Sequence, residues 1–165
     1  MSLASLAMNA SAPAKTPRSP ARKRTVVVDD SLTILHAICS LLEHHEIVDV
    51  VGRAESGPET IDAVSELHPD LVLMDADMPG MSGLRASLLL SQASLAPKVV
   101  LMSMDTTPQF RRACSACGAY AVIYKPKFLS ELARLIEQTP AQDWEKSSRP
   151  RRKLSLSSTM AQAAL

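Results

Sequence analysis

A doubly wound α/β fold built on a parallel sheet is predicted by three observations. Five short aliphatic runs, at residues 25–28, 47–54, 71–74, 98–103 and 121–124, alternate with stretches whose apolar residues recur every three or four positions. That alternation is the pattern of repeated strand–helix units. Most of the runs are continuously apolar, which suits strands covered on both faces. Four of them end abruptly in polar groups: Asp29 and Asp30, Asp75, Ser103, and Lys125. In open parallel sheets ligands collect at the carboxyl ends of the strands, so these residues are expected to converge there.

Each element follows from local chemistry. Thr25-Val-Val-Val28 is a short β-branched strand, and Ser31 is the expected cap of a helix carrying Leu32, Leu35, Ile38, Cys39 and Leu42 at helical spacing. His44 and His45 close that helix, where an imidazolium complements the dipole; this reading is preferred to metal ligation because no Cys or Asp stands at ligand spacing. Ile47–Ala54 is the next strand. Ser56-Gly57-Pro58 starts a helix with Ile61, Val64 and Leu67 on one face, and His68-Pro69 stops it. The run Leu71-Val-Leu-Met74 then delivers Asp75 to a loop containing Asp77, Pro79, Gly80 and Gly83. A helix over Leu84–Ser91, a strand over Lys98–Ser103 and a helix capped by Thr106-Thr107-Pro108 and reaching about Ser115 come next. The last strand is Ala121–Tyr124, followed by Lys125-Pro126 and a helix over Leu129–Glu137 with Leu132, Leu135 and Ile136 turned inward.

With 165 residues the chain has room for one domain and tails. The expected division is a flexible basic tail over 1–23, a folded domain over 24–138 and a second flexible basic tail over 139–165. The net charge of +1 conceals this split. Residues 1–24 hold five Lys/Arg and no acid, residues 25–139 hold 8 Lys/Arg against 15 Asp/Glu, and residues 140–165 hold 5 against 2. Solubility is the preferred account of the basic tails. Nucleic acid and membrane surface rank well behind it as partners, since neither tail interleaves aromatics with its cations. The stretch Arg149–Ser158 (RPRRKLSLSS) has the look of a kinase substrate or basic anchor, and is read as solvated. No apolar run approaches the roughly 18 residues of a membrane span, and the basic residues follow the first apolar ones, the wrong order for a secretory signal. Three cysteines, an odd number, point to a reducing cytoplasm. Cys114 and Cys117 form a C-x-x-C without a second pair, and are read as small buried apolar residues.

Three carboxylates meeting at one edge would repel one another unless a cation sat among them, which implies a hard divalent ion. Mg²⁺ is the default, because it accepts a few carboxylates and is commonly completed by phosphate oxygens. An ammonium at Lys125 and a hydroxyl at Ser103 complete a setting for a phosphoryl group held on an acid. At this point the chain resembles a receiver domain of a two-component response regulator, of the stand-alone, chemotaxis-regulator-like kind. The resemblance is carried by VVVDDS at 26–31, LVLMDADMPGMSG at 71–83, VVLMS at 99–103 and YKP at 124–126.

The resemblance implies a flavodoxin-like five-stranded sheet of order 2-1-3-4-5 with five helices. It implies Asp75 as phosphoacceptor, Ser103 as switch hydroxyl and Lys125 as phosphoryl partner. Mg²⁺ would be held by Asp30, Asp75 and the main-chain carbonyl of Asp77, with Asp29 an outer carboxylate. The Lys125–Pro126 bond is expected cis. Implied partners are a histidine kinase or histidine phosphotransfer protein and a downstream protein target, met through the last two helices and last strand with Phe110 and Phe128 as anchors. A homodimer through the last two helices is a further expectation. The domain would modify itself and would not turn over a free substrate, and the 27 residues from 139 to 165 are too few for an effector domain.

Three positions depart from the family pattern. Val122 stands where a rotating aromatic is usual, Met104 where many members have a small residue, and Asp77 adds a carboxylate two residues after Asp75. Tyr120 and Tyr124 are read as core or edge residues and not as substitutes for the aromatic. The alternative from another class is a haloacid-dehalogenase-type phosphatase, because Asp75-Ala76-Asp77 also fits a D-x-D core. Pro79 in place of Thr, and acids preceding the nucleophile strand, count against it. A degenerate receiver is a third reading, disfavoured by the intact acids.

Overall fold

The computed structural model describes residues 22–94 and 96–147. The strands are β1 (Arg24–Val28), β2 (Asp49–Ala54), β3 (Leu71–Asp75), β4 (Lys98–Ser103) and β5 (Ala121–Tyr124). The helices are α1 (Leu32–His45), α2 (Gly57–Leu67), α3 (Gly83–Ser91), α4 (Pro108–Ala116), α5 (Phe128–Gln138) and α6 (Ala141–Ser147). All strand pairs are parallel, in the order β2-β1-β3-β4-β5, as expected. Every connection is therefore a crossover, which leaves helices on both faces and all strand carboxyl ends on one edge.

Side-chain alternation along the buried strands splits the core into two layers. Val26, Val28, Val72, Met74, Val99 and Leu101 pack toward α2, α3 and α4, where Val64, Ala86, Leu90 and Cys114 meet them. Val27, Leu73, Val100, Met102 and Ile123 face the other way, against Leu35, Ile38 and Leu42 of α1, Phe128 and Leu132 of α5, and Trp144 of α6. Each fully buried aliphatic side chain contributes about 1.5–3 kcal/mol, so β3, buried along its whole length, is anchored from both sides.

Several local expectations are corrected. Ser31 occupies the N-cap position of α1 but its hydroxyl makes no capping bond, and its N–H donates to the Asp29 carboxylate at 3.0 Å. The Lys125–Pro126 bond is trans, since no cis peptide occurs among the described residues. Trans is the intrinsically favoured isomer, and here residues 125–127 curl into a 3₁₀ turn that leads into α5. Phe128 is 8% exposed and lies in the core, so it cannot serve as a surface anchor; Phe110 is half-buried. Residues 141–147, read as flexible tail, form a sixth helix whose Trp144 is 4% exposed. Cys39, Cys114 and Cys117 are all free and buried, and burial pushes the Cys114 thiol up to about 11, which leaves it an inert core residue. His44 and His45 stand in the last turn of α1. The stretch Arg149–Ser158 and most of both tails lie outside the described residues. No helix among the described residues is long and apolar enough to cross a membrane.

Candidate functional site

Strand register decides which side chains meet. Val28 pairs with Met74, Asp75 with Met102, and Ser103 with Tyr124, so the residues that end these strands emerge side by side. The ladder runs one residue past β3, with Ala76 N–H donating to the Met102 carbonyl at 2.9 Å. Gly83 then lets the chain return close over β3. A Cβ there would collide with the Asp75 carbonyl oxygen and the Ala76 Cα, and the Gly83 N–H donates to the Ala76 carbonyl at 3.0 Å. The turn that carries Asp75 and Asp77 is thereby held against the start of α3, and Gly80 supplies a left-handed φ of 75° within it.

At this edge Asp29 is fully buried, Asp75 is 6% exposed and Asp30 is exposed. Lys125 Nζ lies 2.8 Å from Asp75 Oδ2 and 3.3 Å from Asp29 Oδ2. The second oxygen of each acid is also engaged: Asp29 Oδ1 accepts from Ser31 N–H, and Asp75 Oδ1 accepts from Asp77 N–H at 3.2 Å. One ammonium thus spans two nearly dry carboxylates whose other oxygens are fixed by the main chain. Burial pushes the Asp29 carboxyl up, and the Asp75 charge adds to the rise; the Ser31 N–H and Lys125 only partly offset it. Burial acts on Lys125 in the opposite sense, but hydrogen bonds and charge from Asp75 and Asp29 outweigh it and hold the amine above its usual range, firmly protonated.

Among the described residues, Asp29, Asp30 and Asp75 are the carboxylates that could share an ion, with ligand oxygens within 4.8 Å of one another. Three acids against one ammonium leave the cluster two charges negative, and the donors are all hard oxygens. This composition fits a divalent cation of the magnesium type. Asp29, read from sequence as an outer carboxylate, is a full member of this group. Asp77 is exposed and its carboxylate stands outside it, while its N–H holds Asp75.

Ser103 reaches the same edge with its hydroxyl fully buried, accepting from Asp105 N–H at 3.0 Å. Met104, beside it, is 63% exposed. Val122 is half-buried against the α2–α4 layer, and Tyr120 is 40% exposed with Lys98 Nζ 3.7 Å from its ring centre. Tyr124 is half-buried, and its N–H donates to Glu131 Oε2 at 2.9 Å. Glu131 was not singled out by sequence, yet it clamps the residue before Lys125. An acid in the first turn of a helix after Lys-Pro was the available signal.

Comparison with known proteins agrees with this geometry. Residues 25–137 match the family described as the response regulator receiver domain. Response regulator GacA of Pseudomonas viridiflava is 34% identical over 113 residues, covering 68% of this chain and 53% of that protein. A protein-glutamate methylesterase/protein-glutamine glutaminase of Methanococcoides burtonii is 32% identical over 114 residues, 68% of this chain and 32% of that protein. The signal receiver domain of the putative response regulator NarL from Mycobacterium tuberculosis superposes with a TM-score of 0.66 at 26% identity, covering 72% of this chain and 95% of that one. The response regulator domain of Thermotoga maritima CheB does so at 0.61 and 25% identity, covering 76% and 95%. The chain spans about a third of the methylesterases it matches and just over half of the regulators.

Proposed function

Because the chain belongs to the response regulator receiver domain family, we propose that it is a phosphorylation-controlled switch in which Asp75 accepts the phosphoryl group from a histidine kinase or histidine phosphotransfer protein. The observation that carries this reading is the 2.8 Å ion pair between Asp75 and Lys125 with Asp29 and Asp30 alongside. In the proposed step an Asp75 carboxylate oxygen attacks phosphorus in line, and an O–P bond forms as the donor's N–P bond breaks. The electron pair leaves with the imidazole nitrogen, which takes up a proton. Hydrolysis later breaks the O–P bond again, releasing inorganic phosphate and restoring the carboxylate.

Each side chain has a part consistent with its position. Lys125, fully protonated and already spanning two acids, would exchange part of its contact with Asp75 for a phosphoryl oxygen. The Asp77 N–H keeps one Asp75 oxygen oriented and leaves the other to react. Ser103 would donate its hydroxyl proton to the phosphoryl group. Asp29, Asp30 and Asp75, with the Asp77 carbonyl, would hold Mg²⁺, which when bound neutralises charge on the phosphoryl oxygens. The domain on this reading modifies itself and turns over no free substrate, and its output is a changed surface for a downstream protein target. A homodimer through the last two helices belongs to the same proposal. The phosphatase alternative is set aside, since the D-x-D residues lie inside the receiver match.

The test is incubation with Mg²⁺ and acetyl phosphate, followed by intact mass measurement. A gain of one phosphoryl group that disappears in Asp75→Asn is expected. Rapid turnover of p-nitrophenyl phosphate would replace the switch by an enzyme, and no adduct in the wild type would leave a degenerate receiver.

A further inference from the structure

The loop between β4 and α4 is closed by three hydrogen bonds in series. Ser103 Oγ accepts from Asp105 N–H at 3.0 Å, Asp105 Oδ1 accepts from Thr107 N–H at 2.7 Å, and Thr107 Oγ1 accepts from Phe110 N–H at 3.3 Å as the cap of α4. Phe110 packs with Val122 against the α2–α4 core layer. The ladder therefore runs from the site edge of β4 to the first core contact of α4. Around it the loop is open: residues 104 to 109 are all exposed, whereas Ser103 is completely buried.

We propose that Asp105 is a positioning residue that holds Ser103 in the resting conformation of this loop and so governs how readily Asp75 takes up a phosphoryl group; this rests on the reading of Asp75 as phosphoacceptor. The Ser103 oxygen is tied to the loop by the Asp105 N–H. The direction of that N–H is fixed by the Asp105 side chain, whose charge-assisted bond to Thr107 is the shortest rung of the three. Turning the Ser103 hydroxyl toward a phosphoryl oxygen on Asp75 draws it off the Asp105 N–H and opens the ladder. An interaction made only in the resting conformer lowers the competent fraction, and the observed rate falls with that fraction. One ordinary hydrogen bond corresponds to about a 2- to 12-fold change in population. The loop is thus a latch between the site and α4, with Asp105 as its middle link.

Asp105→Ala and Asp105→Asn test this at equal change of charge, because only Asn keeps an acceptor for Thr107 N–H. Full-length protein is incubated with Mg²⁺ and acetyl phosphate, and the rate of gain of one phosphoryl mass is measured for both variants, in the wild-type and in the Ser103→Ala background. The Ala variant is expected to gain phosphate about 2- to 12-fold faster than the Asn variant, and the difference is expected to vanish without the Ser103 hydroxyl. Amide hydrogen exchange gives a second readout: Thr107 N–H should lose protection in Asp105→Ala and keep it in Asp105→Asn. Equal rates, or a difference that survives Ser103→Ala, overturn the proposal alone. Absence of phosphoryl gain in the wild type, or an equal gain in Asp75→Asn, overturns the phosphoacceptor reading and the proposal with it.

Discussion

Replacing Asp30 by Asn removes one charge from the acid cluster without touching either Lys125 ion pair, because those go to Asp29 and Asp75. What it removes is repulsion. With carboxylate oxygens no more than 4.8 Å apart, each unscreened pair costs at least about 0.9 kcal/mol at the dielectric of water, and about four times that at the effective dielectric of a protein surface. Asp30 is exposed, so the water-like value applies, and salt reduces it further. Two such pairs, offset in part by the attraction to Lys125, make the metal-free variant more stable by about 1 kcal/mol or less at low ionic strength, or up to about 4 °C in Tm for a domain of this size. Mg²⁺ should act in the reverse sense. It stabilises the wild type by mass action, and the variant less, having lost a ligand. Thermal melts followed by circular dichroism, in chelator and in excess Mg²⁺, check both signs. A variant that is less stable in chelator, or whose Mg²⁺ response is undiminished, would refute the view that uncompensated carboxylates dominate this edge.

Other perturbations probe the supports of the site. Gly83→Ala forces a methyl group into the Asp75 carbonyl and should cost about 1–3 kcal/mol by overpacking, seen as a lower denaturation midpoint together with slower phosphoryl gain. Trp144→Ala empties a buried site on α6 and should cost about 3–5 kcal/mol, while leaving the extent of phosphoryl gain from acetyl phosphate unchanged. The Asp29 carboxyl is raised above its ordinary value in the folded state, so its unfavourable contribution is full near neutrality and is relieved as pH falls through the raised value. The stability advantage of an Asp29→Asn variant should accordingly shrink on acidification. Lys125 is raised as well, which is stabilising below its usual value of about 10.5 and is lost as pH rises past the folded value. Alkaline melts of the wild type should steepen there, and those of Lys125→Met should not.

The sheet was legible because most of its strands are largely aliphatic: the run Leu71–Met74, halted by Asp75 and followed by Pro and Gly, is too short for a helix and suits a strand covered on both faces. The convergence of Asp29, Asp75, Ser103 and Lys125 followed from parallel topology alone, since equal strand ends must share an edge. What escaped was set by single contacts. Helix α6 has seven residues and one aromatic anchor, too few positions for a helical period to show, and only tertiary packing against Val27 and Leu132's layer makes it fold. Phe128 reads as a surface aromatic after Lys-Pro-Lys, yet the 3₁₀ turn rotates it inward. Ser31 stands at the cap position as its chemistry suggests, but its hydroxyl makes no capping bond, and what it contributes to the site is its N–H, donated to the Asp29 carboxylate. Asp105 and Glu131 look like ordinary surface acids, and their main-chain partners emerge only in three dimensions.

The lone indole of the chain lies far from the chemistry. Trp144 is flanked by Lys23, with Nζ 5.0 Å from the ring centre, and by Lys98, at 5.6 Å, both at the amino ends of strands, whereas the acid cluster lies at their carboxyl ends. A strand of five or six residues, roughly 17–20 Å, separates the two. Its emission is therefore a natural gauge of the far rim of the sheet. Quenching or a colour shift when the carboxylates fill would report a disturbance carried the full length of the strands, and a silent fluorophore would mark the rearrangement as confined to the near rim.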